Sequence, residues 1–338
     1  MKKLGISCVV ILILTWMSFP CAAQDRTYRI EILQVTNNGP FEYCIEGFLK
    51  ELESNGIVQG KNLTINRRII DFDVEKGGIW KKVGVLLRIK KEASLIVEAR
   101  PDLVLTIGTP ATRYAKDKIV GAGIPLVFTA VAIPEAAGCT SLTHAGPGFT
   151  GATLYMDTAS FLQITRLAFP GAKTFGIIHT DDDNALAQIE QLKKTSQSMD
   201  ITFLTREVNK KDSVVPAANE LIEQGADAFL LPMDTYYGMR NNEPCRELAE
   251  ITLASKIPAV SLMYFKIPGA ALYVGSDFSY IGSLSARNAV KILKEESRPE
   301  DLPVLKQDDL SIMVDVDILK KLQIQLPMEI LQLATGVN

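Results

Sequence analysis

The chain has 338 residues, of which 47% are apolar, 7% aromatic and 22% charged, and its formal net charge is −3 at pH 7. This length and composition fit a folded protein of two lobes and exclude a low-complexity or disordered polypeptide. The negative net charge excludes binding to nucleic acid through a basic surface.

The first 23 residues predict a cleavable secretory signal peptide. Lys2 and Lys3 precede an apolar run from Leu4 to Phe19, and small residues follow at 21–23. The run of about 16 residues is shorter than the roughly 20 that a membrane-spanning helix needs. The alternative to cleavage is a retained membrane anchor.

A lipoprotein with its lipid on Cys21 is a second alternative, although Pro20 stands where such sites want a small residue. Cleavage after Ala23 removes two lysines and no acidic residue, so the net charge changes from −3 to −5. We expect the mature protein in the periplasm.

Strand and helix patterns alternate along nearly the whole chain. The first half predicts strands at 29–35, 62–66, 103–107 and 126–129, with helices at 41–54, 79–99 and 109–118. The second half predicts helices at 158–168, 184–198, 214–224, 243–255 and 280–295, with strands at 173–179, 201–207, 228–231 and 259–262. This alternation is typical of βαβ units and parallel sheets.

One pattern occurs twice in the chain. Residues 102–109 run from an acid through an apolar strand to a polar tip at Thr109, and residues 227–234 do the same and reach Asp234. Each is followed by a helix and then a short strand led by Ile-Pro, at Ile124 and Ile257. Two similar α/β halves predict two lobes with a cleft between them.

The predicted fold class is α/β, with two doubly wound parallel-sheet lobes joined by a three-segment hinge. We expect residues 24–148 with 276–300 to form the first lobe, and 149–275 with 301–338 to form the second. The crossings are predicted at 138–151, which contains Gly146-Pro147-Gly148, at 271–275 and at 302–316.

Ligands of open parallel sheets bind beyond the carboxyl ends of the strands. Two such lobes facing each other would bring their strand ends into one cleft. The candidate ligand-binding residues there are Thr36, Gly108, Thr109, Ala111, Thr129, Ala130, Asn184, Asp234, Thr235, Ser261 and Tyr264.

Two of these tips have opposite electrostatic character. Gly108 allows close approach, Thr109 can cap the next helix, and the free N–H groups of that helix favour an anion. Asp234 can bind an ammonium group, and Tyr236 and Tyr237 can wall a pocket. The structural alternatives are a plain capped helix at Thr109 and a helix cap at Asp234.

The remaining reactive residues predict no catalytic centre, no metal site and no cofactor. Asp181-Asp182-Asp183 lacks the spacing of a calcium loop and indicates an acidic helix start. The two histidines, His144 and His179, have no partner motif. Cys44, Cys139 and Cys245 lack metal-site spacing, and three buried or partly buried thiols are expected, with at most one disulfide.

The chain resembles the periplasmic substrate-binding proteins of ABC transporters, in the family with tryptophan- and tyrosine-binding members. The resemblance covers nearly all of residues 28–331. It is carried by Glu46-Gly-Phe-Leu-Lys-Glu-Leu, Gly60-Lys-Asn, Pro101-Asp-Leu-Val-Leu-Thr-Ile-Gly-Thr-Pro-Ala, Ile124-Pro-Leu-Val-Phe, Thr150-Gly, Phe169-Pro-Gly-Ala-Lys, Pro232-Met-Asp-Thr, and Gly269-Ala-Ala-Leu before Tyr280-Ile-Gly.

The resemblance implies a type I periplasmic-binding fold without catalysis, and a ligand held by Thr109, by the tip after Phe128, by Asn184 and by Asp234. Three tips depart from the family pattern. They are Ala132-Ile-Pro in place of an Asp-Pro, Gly146-Pro-Gly-Phe in place of Gly-Gly-Asn, and His179-Thr-Asp in place of an Asn-Pro. The resemblance therefore implies the fold more firmly than the ligand.

Three functions are weighed. The first is a receptor for an ABC importer, which binds a small zwitterion such as an aromatic amino acid by lobe closure and docks on an inner-membrane permease. The second is a sensory receptor of the same fold that signals to a membrane kinase or chemoreceptor. The third, an enzyme, needs a nucleophile–base pair that the sequence does not offer.

Overall fold

The computed structural model describes residues 26–70 and 79–337, so the predicted signal peptide and Cys21 lie outside it. The first part of the chain forms β1 (Tyr28–Gln34), α1 (Gly39–Ser54), β2 (Leu63–Ile69), α2 (Ile79–Ala99), β3 (Leu103–Ile107), α3 (Thr109–Gly121), β4 (Leu126–Val131) and β5 (Phe149–Thr153). The middle forms α4 (Thr158–Ala168), β6 (Thr174–His179), α5 (Asp183–Thr195), β7 (Thr202–Glu207), α6 (Val215–Glu223), β8 (Ala228–Leu231), α7 (Met239–Ala254), β9 (Ala259–Ser261) and β10 (Leu272–Gly275). The last part forms α8 (Phe278–Glu295), β11 (Leu305–Lys306), β12 (Ser311–Asp315), α9 (Val316–Leu322), α10 (Met328–Leu333) and β13 (Ala334–Val337). Within these ranges, none of the helices is long and apolar enough to cross a membrane.

The first lobe is built on a six-stranded sheet in the order β11-β5-β4-β3-β1-β2, and all neighbouring strands are parallel. Helices α1 and α8 cover one face, and α2 and α3 cover the other. All five residues of β3 are buried because both of its faces are covered, which accounts for its nearly uninterrupted apolar sequence.

The second lobe is built on a seven-stranded sheet in the order β13-β12-β10-β9-β8-β6-β7. Strands β6 to β10 are mutually parallel, and β12 runs antiparallel to β10. Helices α4, α5, α9 and α10 pack on one face, and α6 and α7 pack on the other. The predicted fold class, two α/β lobes dominated by parallel strands, is confirmed.

The chain passes between the two sheets at residues 154–157, 276–277 and 307–310. Because β5 and β11 belong to the first sheet, these passages lie a few residues beyond the expected boundaries at 148 and 300, and the predicted crossing at 271–275 is strand β10 instead. In the sequence the glycines within 146–151 predict a loop, but the structure has strand β5 at Phe149–Thr153. Gly151 instead allows β5 to pair closely with β4, since an added Cβ would lie 2.3 Å from the Phe128 carbonyl oxygen.

Helices α1 and α8 pack so closely that their backbones touch. A Cβ on Gly47 would lie 1.9 Å from the Ser279 carbonyl oxygen, and a Cβ on Gly282 would lie 1.9 Å from the Cys44 carbonyl oxygen. Ser283 also donates a hydrogen bond of 2.6 Å to Glu51 across this crossing. The first lobe therefore depends on a helix that the chain supplies only after it has built most of the second lobe.

The three cysteines of the described residues are free and buried. Burial raises the pKa of each of the Cys44, Cys139 and Cys245 thiols to about 12. A thiol that stays protonated is a poor nucleophile and a poor metal ligand. The expectation of buried structural thiols is confirmed.

Gly282→Ala should lower the melting temperature, because the new methyl group would collide with the carbonyl oxygen of Cys44. Overpacking of this kind typically costs about 1–3 kcal/mol. Gly84→Ala is the matched control and should not lower the melting temperature. A Cβ placed on Gly84 would meet nothing within 4 Å, and alanine has a higher helix propensity than glycine. Calorimetric melting of the two variants beside the unmodified protein checks this, and an unchanged Gly282→Ala transition would contradict the tight crossing.

Candidate ligand-binding site

The strand ends of the two lobes face each other and touch. The Thr109 hydroxyl, after β3, donates a hydrogen bond of 3.5 Å to Asn184 Oδ1, at the start of α5. Met233, after β8, and Phe265, after β9, both pack against the core of the first lobe. The carboxyl ends of both sheets therefore line one cleft, as the parallel topology requires.

The first-lobe side of the cleft presents the N-terminus of α3. Gly108 has a φ of 83°, stands in the cap position, and donates its N–H to the Thr129 carbonyl oxygen at 2.9 Å. The prediction that the Thr109 hydroxyl caps this helix is wrong, because Gly108 takes the cap position without a side chain. The Thr109 hydroxyl instead points across the cleft, and the helix end keeps its positive partial charge.

The second-lobe side of the cleft is organised by Asp182, which caps α5. Its Oδ1 accepts a hydrogen bond of 3.0 Å from the Asn184 N–H. Its Oδ2 accepts hydrogen bonds from the Thr235 hydroxyl at 3.0 Å and from the Thr235 N–H at 3.4 Å. One carboxylate thus joins the strand ends after β6 and β8, and it holds two of the predicted site residues together.

Asp234 lies behind this carboxylate and is buried, with 4% of its surface exposed. It accepts hydrogen bonds from the Thr180 N–H (2.6 Å), the Thr180 hydroxyl (3.0 Å to each oxygen) and the Tyr236 N–H (2.9 Å). The alternative weighed from the sequence, a cap for the following helical turn, is therefore present in the structure. Burial raises the pKa of the Asp234 carboxyl, as does the charge of Asp182, while its hydrogen bonds act against both.

The arrangement places opposite charges on the two sides of the cleft. Asp182 and Asp234 make the second-lobe side negative, and the N-terminus of α3 makes the first-lobe side positive. The contact between Thr109 and Asn184 brings the two sides together. Chemically, the pair suits a small molecule that carries both an anionic and a cationic group.

The other predicted site residues lie at or beside the strand ends of the two lobes. Thr36 follows β1, and its carbonyl oxygen accepts a hydrogen bond of 2.8 Å from the Gln34 side chain. Ala130 ends the regular pairing of β4 with a φ of 55°, an unusual conformation for alanine that often marks functional sites. The side chains of Ala111, Thr129 and Ser261 are fully buried, and Ser261 Oγ accepts a hydrogen bond of 3.2 Å from the Met263 N–H.

Three tyrosines that the sequence places at the cleft have hydroxyl groups that bind within the second lobe. Tyr236 and Tyr237 do not wall a pocket, because both rings are buried in the second-lobe core and their hydroxyls donate to the carbonyl oxygens of Asp212 and Ile178. The Tyr264 hydroxyl pairs with the hydroxyl of Thr335 at 3.0 Å, on strand β13 of its own lobe. Burial of this kind depends on partners distant in sequence, which local patterns do not reveal.

Four further residues at the cleft are not among the candidate ligand-binding residues, although two of them, Asp182 and Met233, lie in the strand-end segments 179–184 and 232–236 that the sequence places at the cleft. Asp182 forms part of the acidic helix start that the sequence indicates, and its position after β6 also marks it as a strand-end residue. Phe265 directly follows the predicted Tyr264. Met233 and Phe41, whose ring lies over Gly108, have the pattern of ordinary core residues in the sequence.

A family model described as "ABC transporter substrate binding protein" matches residues 29–338. A tyrosine-binding protein from Clostridioides difficile is 25% identical over 300 residues, which cover 88% of this chain and 81% of the relative.

Solved structures show the same fold. A ligand-free, open substrate-binding protein with adhesive properties from Clostridium difficile matches with a TM-score of 0.74 and 24% identity, over 92% of this chain and 99% of the other. A domain from Streptococcus pneumoniae in complex with L-Trp matches with a TM-score of 0.74 and 19% identity, over 92% of this chain and 100% of the other. The likeness of the structures concerns the fold, and it includes sugar and ribose transporter proteins at TM-scores of 0.54 and 0.57.

The raised pKa of Asp234 predicts a pH dependence of stability. The folded protein holds the Asp234 proton more tightly than the unfolded chain, whose carboxyl has a pKa near the ordinary 3.8, so this residue makes folding less favourable as pH rises above about 4. Asp234→Asn removes the titration. Urea unfolding of both proteins at several pH values between 4 and 7 should therefore show the variant gaining stability relative to the unmodified protein as pH rises. A difference that does not vary with pH would contradict this.

Proposed function

Because the chain belongs to the ABC transporter substrate binding protein family, we propose that it is the receptor of an ABC importer and that it binds an amino acid, an aromatic one in particular, between its lobes. The tyrosine-binding relative supports an amino-acid ligand. The observation that carries the proposal is the opposition of charges across the cleft. The start of α3, which has no side-chain cap, lies on one side of the cleft, and Asp182 and Asp234 lie on the other. The contact of Thr109 with Asn184 joins the two sides.

An α-amino acid carries its carboxylate and its ammonium group on the same carbon atom, so its two charges are separated by only a few ångströms. The carboxylate would bind the N–H groups at the start of α3 together with the Thr109 hydroxyl. The ammonium group would bind on the side of Asp182 and Asp234, where its positive charge would offset the repulsion between the two carboxylates. The two lobes together supply what neither side offers alone.

Binding that needs both lobes favours the closed arrangement over the open one. The ligand shifts the population of lobe arrangements by its difference in affinity for the two, and the closed form is the one that a permease would recognise. Substrate-binding proteins form a non-enzymatic class, and in this family they act outside the cytoplasm. We propose that residues 1–23 direct export to the periplasm and are then removed, and that the partner is an inner-membrane permease.

Titration calorimetry of residues 24–338 tests the ligand class. L-tyrosine or L-tryptophan should bind, and tyramine and 3-(4-hydroxyphenyl)propionate should bind more weakly than L-tyrosine, because each lacks one of its charged groups. Each loss should be about 1.5–3 kcal/mol, the range for a hydrogen bond to a charged group. If no amino acid in a thermal-shift panel raises the melting temperature, the amino-acid assignment is wrong.

The two sides of the cleft can be separated with variants. Asp182→Asn and Asp234→Asn should weaken L-tyrosine binding by about 1.5–3 kcal/mol and leave 3-(4-hydroxyphenyl)propionate, which has no ammonium group, unaffected. Thr109→Ala should weaken L-tyrosine binding less, because the backbone N–H groups remain. Asp183→Asn, at the exposed next position, is the matched control. Equal losses for both compounds would mean that the carboxylates serve the fold and not the ligand.

A further inference from the structure

Phe265 belongs to the second lobe, but its side chain packs against the cores of both lobes. On the first lobe its ring meets the start of α1. Its ring centroid lies 6.0 Å from that of Tyr43, and its Cζ atom would lie 3.1 Å from a Cβ placed on Gly39. These contacts join the two lobes beside Met233, which also packs against the first-lobe core, and beside the polar groups at the cleft.

We propose that Phe265 is a latch that sets the balance between the closed and open lobe arrangements, and so sets ligand affinity from outside the charged poles of the site. The effect on affinity rests on the proposed function, in which a ligand binds between the lobes. The effect on lobe closure does not require a ligand.

The segment that carries Phe265 is held on both sides, so its ring is presented in a fixed position. The Met263 N–H donates to Ser261 Oγ at 3.2 Å, and the Tyr273 hydroxyl donates to the Ile267 carbonyl oxygen at 2.6 Å. Tyr264 is tied to Thr335 by its hydroxyl. Because these anchors all lie in the second lobe, the segment moves with that lobe when the cleft opens.

The receiving surface on the first lobe is shaped by a missing side chain. Gly39 is the first residue of α1, directly after the Asn38 cap, and its φ is not in the left-handed region that requires glycine. Gly39 also precedes Pro40, which disfavours a Cβ on a helical residue before it, and a Cβ there would meet two atoms of the Phe265 ring at 3.1 and 3.3 Å. Glycine at this position therefore leaves room for the contact between lobes as well as for the proline that follows it.

The latch is an aromatic, apolar part of the lobe contact, to which Met233 also contributes. The hydrogen bond from Thr109 to Asn184 is long at 3.5 Å, and its groups can exchange it for water when the cleft opens. Separation of Phe265 from Tyr43 and Gly39 exposes apolar surface that water does not stabilise. A change that weakens this contact reduces the closed population, and the apparent affinity falls by the same factor.

A double-mutant cycle on Tyr43 and Phe265 tests the contact, with L-tyrosine as the titrated compound. Tyr43→Ala and Phe265→Ala should each weaken binding by about 2- to 12-fold, the range for an aromatic pair, and the double variant should lose less than the product of the two. Tyr280→Ala is the control, since that exposed tyrosine ring lies beside Arg287 of its own helix. Unchanged or tighter binding in Phe265→Ala would overturn the latch.

Gly39→Leu approaches the same contact from the other lobe and keeps the second-lobe core intact. It should weaken L-tyrosine binding like Phe265→Ala, whereas Gly84→Leu should not.

Small-angle scattering of the proteins without ligand separates the latch from the proposed function. Phe265→Ala and Gly39→Leu should both increase the radius of gyration relative to the unmodified protein. An increase together with no binding of any amino acid would keep the latch and reject the ligand class. Equal radii in all three proteins would reject the latch.

Discussion

The positions of the polar residues and helix ends at the cleft follow from the direction of the strands. In a parallel sheet the strands end at one edge, and the helices that follow begin at that same edge, so polar loop residues and positive helix ends collect there. Each lobe of this protein has such an edge, and the two edges face each other. The charge pairing of α3 with Asp182 and Asp234 is a local expression of that arrangement.

The carboxylates of the second lobe have a structural role, and under the proposed function the same atoms would also bind the ligand. Asp182 begins α5 and holds Thr235, and Asp234 holds Thr180 and the turn at Tyr236. These hydrogen bonds keep two negative charges close together in a partly buried place, at a cost that the raised pKa of Asp234 reflects. A bound cationic group would relieve that cost, so under the proposed function carboxylates that support the fold would also favour binding.

Local patterns were sufficient for most of the elements, because β3 is apolar throughout and α2 has the bounds that its sequence predicts, 79–99. They failed where the outcome depends on distant neighbours. The glycines around β5 favour a loop, and only the close pairing of this strand with Phe128 explains them. The role of Asp234 depends on Thr180, which is 54 positions away. Phe265 could not be found from the sequence, since its partners at α1 belong to the other lobe.

The close crossing of α1 and α8 also bears on the order of folding. Glu51 and Ser283 meet across it although they are 232 positions apart, and β12 and β13 of the second sheet come later still. Neither lobe can be completed until the last part of the chain has left the ribosome. Contacts so distant in sequence form slowly, because a long loop must close before they are made. The two lobes are therefore not independent folding units, although each has its own sheet and its own core.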